Sequence, residues 1–140
     1  MLFPKKVKHR KWQTQRLSRK RLMRPDTRGT TLAFGSFGLK ALSSARVTSN
    51  QIESARKVLT RATAKTGKLW IRIFPDRPVT AKPAEVGMGS GKGDTKQYVF
   101  QVRPGRMLFE LDGVPEDVAR AHLREAGMKL PVNTSIVARR

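Results

Sequence analysis

The stretch that most constrains this chain runs from Lys68 to Val102. Leu69-Trp70-Ile71-Arg72-Ile73-Phe74 has the branched and aromatic composition of a strand. One of its alternating faces, Leu69/Ile71/Ile73, is wholly apolar; the other, Trp70/Arg72/Phe74, is interrupted by a cation. Tyr98-Val99-Phe100-Gln101-Val102 resumes in the same style. The 23 residues between them, Pro75 to Gln97, hold three prolines (Pro75, Pro78, Pro83) and four glycines (Gly87, Gly89, Gly91, Gly93). A connection of that length without structure of its own is usually functional or disordered. We read 75–97 as a working loop held at both ends by a rigid sheet.

Around that stretch the chain divides into an arm and a domain. Residues 1–29 form a basic extended arm, and 30–140 a single α+β domain. From 1 to 28 there are eleven cations, Lys5, Lys6, Lys8, Arg10, Lys11, Arg16, Arg19, Lys20, Arg21, Arg24 and Arg28, against Asp26 alone. Its apolar residues are too scattered to fold by themselves. Fully extended, the arm reaches about 90 Å, far beyond a domain whose radius of gyration is about 14 Å. Trp12 within it either stacks on a base or packs back on the domain.

In the domain, Leu32–Phe34 and Leu39–Leu42 flank Gly35-Ser36-Phe37-Gly38, which reads as the turn of a short hairpin. Thr48 with Gln51 makes a capping box, with Asn50 and Glu53 as an alternative frame. Ile52, Ala55, Leu59 and Ala62 then form the buried stripe of a helix closed by Gly67. Arg56, Lys57, Arg61 and Lys65 lie off that stripe with Glu53 the helix's one acid, which favours phosphate contact over a plain solvated face. Tyr98–Arg103 and Met107–Leu111 read as a second hairpin around Pro104-Gly105. Pro115 suits a first helical position, Glu116 and Asp117 the first turn, and Gly127 the stop. Ala119, His122, Leu123 and Ala126 make the second helix's stripe, and Ser135–Ala138 a last strand. The expected architecture is α+β: hairpin–helix–strand twice, as a mixed or antiparallel sheet with two covering helices.

Charge narrows the function. Thirty Lys and Arg against ten Asp and Glu give a net charge of +20. Such an excess repels itself unless a polyanion neutralises it, and nucleic acid is the first choice. The chain has no cysteine and two histidines, His9 and His122, so disulfides and thiolate zinc sites are excluded and no metal centre is expected. No apolar run approaches the roughly 18 residues of a membrane span. No apolar signal core follows the N-terminal charges, so the cytoplasm is the expected compartment.

Gly87-Met88-Gly89-Ser90-Gly91-Lys92-Gly93 invites a phosphate-loop reading and fails it. A Walker loop needs Gly where Val86 stands and Ser or Thr where Gly93 stands. A dinucleotide fingerprint fails at Lys92 or Asp94 and would need a helix where a strand follows. Two uses remain: glycines that let a neighbour's phosphates approach the backbone, or a merely flexible tip. Glu110, Asp112, Glu116 and Asp117 form the main acidic cluster, but no nucleophile has a base beside it. No catalytic residue and no cofactor is expected. An RNA-processing enzyme would need the missing acid–base set. A membrane-surface binder would need an amphipathic basic helix that Pro4 and Pro25 oppose.

MLFPKKVKHRK, FGSFGLKAL, NQIESARKVLTRA, GKLWIRIFPDRPVTAKP, MGSGKG and RPGRMLFELDGVPEDVARAHLREAGMKLPV closely resemble the bacterial family of large-subunit ribosomal protein sixteen. The resemblance runs essentially end to end. It implies a non-enzymatic protein that binds large-subunit ribosomal RNA near the peptidyl-transferase centre, joins late in assembly and helps position A- and P-site tRNA. Neighbouring ribosomal proteins are its implied protein partners. By carry-over, Lys5, Lys6, Lys8, Arg10, Lys11, Arg16, Arg19, Lys20, Arg21, Arg56, Lys57 and Arg61 face ribosomal RNA. Lys82, Gly87, Met88, Gly89, Ser90, Gly91, Lys92 and Gly93 lie nearest tRNA. Many members of the family have arginine where this chain has Gly87, hydroxylated in some bacteria, and lysine where it has Ser90. Contacts that need that arginine are therefore expected to be absent. The arm also looks longer than in many members around Ser18–Asp26.

Overall fold

The computed structural model describes residues 2–14, 18–64 and 66–139. Arg16, Lys65 and Arg140 lie outside the described residues. In chain order the elements are α1 (Arg19–Leu22), β1 (Phe37–Ala41), β2 (Ala45–Thr48), α2 (Ser49–Thr63), β3 (Lys68–Ile71), β4 (Arg77–Ala81), β5 (Asp94–Val102), β6 (Met107–Asp112), α3 (Glu116–Gly127) and β7 (Thr134–Ala138). The class is α+β, as the sequence implies, with the strands divided between two antiparallel sheets. One is four-stranded in the order β3-β6-β1-β7; the other is three-stranded in the order β2-β5-β4.

The two expected hairpins are absent from this arrangement. Gly35 and Gly38 are packing glycines and not turn punctuation. A Cβ on Gly38 would lie 2.4 Å from Met107 Cε, and one on Gly35 would lie 2.5 Å from the Leu111 carbonyl oxygen. The segment from 32 to 34 therefore crosses β6 as a loop, while β1 pairs with β6 and β7. Pro104-Gly105 does turn the chain, with Gly105 at φ +92°, but it carries the chain from one sheet into the other. The corner is tied to the end of β1: Gly105 N–H donates to Ala41 O at 2.7 Å and Ala41 N–H to Arg106 O at 2.9 Å. The reason is legible in β6. Met107 to Leu111 is buried at every position, which suits a central strand covered on both faces better than half of a two-stranded ribbon.

The first long helix follows its sequence signals. Thr48 and Gln51 form both halves of the capping box at the start of α2. Ile52, Ala55 and Leu59 are fully buried, Val58 and Thr63 join them, and Ala62 is half-buried. The helix ends at Thr63, to whose carbonyl Gly67 N–H donates at 2.8 Å. In α3, Pro115 stands one position before the first helical residue and makes no side-chain capping bond, and Gly127 is the last helical residue. Ala119, Leu123 and Ala126 are fully buried, and His122 is half-buried. Helices α2 and α3 pack on each other and close the core over Leu39, Phe109 and Leu111. Val47 and Val102 join the same core from the second sheet. Deep burial of some seventeen apolar side chains here, at about 25 cal/mol per Å², dominates the favourable side of folding.

The connection from Pro75 to Gln97 is mostly ladder. Arg77 to Ala81 pairs with β5, which begins at Asp94, so the open tip is only 82–93. The ends of the expected loop also belong to different sheets, β3 to one and β5 to the other. Pro78, counted among the loop's prolines, lies in β4, which is an edge strand, where a missing donor costs no ladder bond.

Candidate nucleic-acid interface

The β4–β5 hairpin and the arm form one projecting unit. Pro83 and the alternating glycines Gly87, Gly89, Gly91 and Gly93 keep 82–93 out of regular structure, with Gly89, Ser90 and Gly91 at φ +108°, +58° and +95°. Gly87, Gly89 and Gly91 have nothing near where a side chain would begin, so the tip is open. Gly93 differs: a Cβ there would meet the Ala81 carbonyl oxygen at 2.6 Å. Of the four glycines, it is the one whose close approach is to its own hairpin. Met88 at the tip is wholly exposed.

The arm lies against this hairpin and is not a free tail. Lys11 Nζ donates to Lys92 O at 3.1 Å and stands 3.7 Å from the Asp94 carboxylate. Lys92 Nζ donates to Trp12 O, and Thr95 Oγ1 to Arg10 O at 3.1 Å. Trp12 packs back on the domain, its ring under the Arg77 guanidinium at 5.7 Å, and remains 41% exposed. At the domain end, Asp26 N–H donates to Pro104 O at 2.9 Å and Met107 N–H to Gly29 O at 2.8 Å. Leu2 packs against the core. Of the arm's scattered apolar residues Leu2 gains burial on the core, while Phe3, Val7, Trp12 and Met23 stay exposed, so polar contacts do most of the holding.

The sequence-expected cations fall into three settings. Lys5, Lys6, Lys8, Arg10, Arg19, Lys20 and Arg21 are exposed along the arm, the last three on the single turn α1 capped by Ser18. Lys82 and Lys92 donate to Gly89 O and Trp12 O, which shapes the tip while leaving two donors on each ammonium. On α2, Lys57 and Arg61 are exposed, but Arg56 is paired: its Nη2 and Nε donate to the two Glu53 oxygens at 2.6 and 2.9 Å. The hydrogen bond from Arg56 holds the Glu53 carboxyl below the ordinary carboxylate value. The helix cations and the arm–hairpin unit stand on separate elements.

Sequence reasoning missed Arg46 and Arg77. Arg46 faces Gln101 across the ladder, and Arg77 faces Val99 on the same strand β5, so opposite side chains of both pairs share a face. Burial, then the charge of Arg46, lowers the Arg77 pKa. A clustered pair of like charges next to Trp12 suits an anion. The signal was present as Pro-Asp-Arg-Pro, but nothing local tells which strand Arg77 faces. Among the described residues no group of His, Asp or Glu is arranged to hold a metal ion, and no helix is long and apolar enough to cross a membrane.

The family model for ribosomal protein L16p/L10e matches residues 4–137. The chain belongs to that family. The large ribosomal subunit protein uL16 of Leptospira biflexa serovar Patoc is 54% identical over 139 residues, spanning 99% of this chain and 98% of that protein, in both the Ames and Paris strains. The matched residues include most of the arm, the β4–β5 hairpin and both long helices.

Proposed function

We propose that this chain is a structural, non-enzymatic constituent of the large subunit of the cytoplasmic ribosome. Its arm and the exposed α2 cations bind large-subunit ribosomal RNA, and the 82–93 tip reaches A- and P-site tRNA near the peptidyl-transferase centre. Membership of the L16p/L10e family supports the coarse assignment. One observation carries the finer one: arm and hairpin are packed into a single projection in which Lys5, Lys6, Lys8, Arg10, Lys11, Lys82 and Lys92 outnumber the exposed acids there, Asp76 beside Lys6 and Lys8, Glu85, and Asp94 beside Lys11. A projection that keeps its positive charge after folding is built to meet phosphate. The tip offers backbone and Met88 where relatives with arginine and lysine would offer charge.

The test is reconstitution of large subunits with a chain lacking 87–92. The expected product folds and assembles but binds tRNA weakly and translates slowly. Wild-type tRNA binding and rates would make the tip a passive connector.

A further inference from the structure

The arm and hairpin leave one prominent feature of the domain without a role. Phe34 is 55% exposed, yet the loop that displays it is among the most tightly held in the chain. Ala33 and Phe34 N–H donate to the Glu110 carboxylate at 3.2 and 2.7 Å, and Gly35 N–H does so at 2.8 Å. Glu110 itself is fully buried and also accepts from Arg72. Gly35 is jammed against β6. Phe34 stacks on Trp70 with ring centroids 5.9 Å apart and planes 16° from parallel. The Arg72 guanidinium lies 5.2 Å from the centre of the Phe34 ring. The result is a column of guanidinium and two aromatic rings in which Trp70 lies on β3, an edge strand of the four-stranded sheet, Arg72 just follows it and Phe34 comes from the loop before β1.

Cations rim this column. Lys68 and Arg139 are exposed, and Arg139 donates to Ala33 O at 3.5 Å. One acid lies near them, Asp112, which accepts from Ser36 Oγ at 2.6 Å; that bond, the Gly113 N–H and the charges of Arg139 and Lys68 hold its carboxyl below the ordinary value, so two cations face one acid here. The Phe34 ring packs on Trp70 and Arg72, yet more than half of it is left in water. Rigid aromatic faces with cations at their edge are what an unstacked nucleobase and its phosphates recognise. We propose that Phe34, Trp70 and Arg72 form a stacking platform for one unpaired base of RNA, separate from the arm and the hairpin tip. This rests on the RNA-binding reading above and adds to it a specific site and ligand class.

The chain's two tryptophans allow a direct test. In full-length protein carrying Trp12→Phe, Trp70 fluorescence reports on the platform alone. A short single-stranded oligoadenylate should quench it, and an abasic oligomer of the same sugar-phosphate length should bind without quenching. Adding Phe34→Leu, which keeps an apolar side chain on an exposed position, should weaken oligoadenylate binding about tenfold, within the range for one lost base stack. It should leave abasic binding unchanged. Equal quenching by both oligomers, or unchanged oligoadenylate affinity in Phe34→Leu, overturns the proposal. If Phe34→Leu instead blocks only incorporation into subunits, the platform meets a protein and the proposal also fails. Binding of neither oligomer at low salt would take down the RNA reading itself, and this inference with it.

Discussion

The protein handles charge in two opposite ways, at Glu110 and at the arm–hairpin unit. At Glu110 a single carboxylate is buried in the central strand and fully answered by three backbone N–H groups and a guanidinium. Burial pushes its carboxyl up, but the hydrogen bonds from Gly35, Phe34, Ala33 and Arg72 outweigh that, so its pKa lies below the ordinary glutamate value. In the arm–hairpin unit Lys11, Lys82 and Lys92 donate to carbonyl oxygens, and among the described residues the acid paired with one of them is Asp94, 95% exposed. Carbonyls orient an ammonium without cancelling its charge. The first arrangement locks a loop, whereas the second keeps a net field for a partner to use.

The largest effect that would break this contrast is at the centre. Glu110→Ala strands Arg72 and three loop N–H groups, and losing one partner of a buried pair costs about 3–5 kcal/mol. Denaturant unfolding should find a loss of that size. A loss no larger than that of a surface substitution would show that the clamp is ornamental.

Next comes Gly93→Ala, where the added carbon collides with the Ala81 backbone. The hairpin must shift, at about 1–3 kcal/mol by analogy with overpacking, while Gly87→Ala, which meets nothing, should be neutral within about 0.5 kcal/mol. Paired melting curves of the two variants check this, and equal midpoints would contradict the described tip.

Acid sharpens the comparison further. Because the folded pKa of Glu110 is below the unfolded one, its contribution is fully present above the ordinary value of 4.5 and is lost as pH falls through the lowered folded value. The stability difference between wild type and Glu110→Gln should therefore be level near neutrality and shrink in acid. A difference that grows on acidification would reverse the assignment.

The smallest effect on stability, though not on binding, belongs to the arm. Removing residues 1–24 spares the bonds of Asp26 and Gly29 to the domain. It should lower the melting midpoint only by the loss of Leu2 packing and of the exposed contacts that Arg10, Lys11 and Trp12 make with the hairpin. RNA affinity should lose salt dependence, because each phosphate contact removed takes about 0.7–0.9 from the slope of log K against log salt. An unchanged slope would move the electrostatic centre from the arm to α2.

How much of this was readable beforehand depends on the range of the signal. The capping box at Thr48, the stripe Ile52/Ala55/Leu59, the stripe Ala119/Leu123/Ala126 and the α+β class were all legible, because helix signals lie within a few residues of one another. So was the concentration of cations in the arm, and with the resemblance, the family. The hairpin inside 75–97 was hidden because Pro78 forbids a central strand, and only the tertiary structure shows that β4 lies at an edge. Gly35 and Gly38 read as a turn because a glycine that gives way to a neighbour and one that bends the chain look alike in sequence. The partners of β5 and β6 were likewise undetermined: alternation tells that a segment is a strand, not which strand it meets. Arg56 looked free for phosphate until the fold settled its rotamer onto Glu53. Trp12, evenly poised between base and domain in the sequence, was decided by Arg77, 65 residues away. Local propensity is a property of a few neighbouring residues, whereas strand partners and ion pairs depend on distances that exist only once the chain has closed on itself.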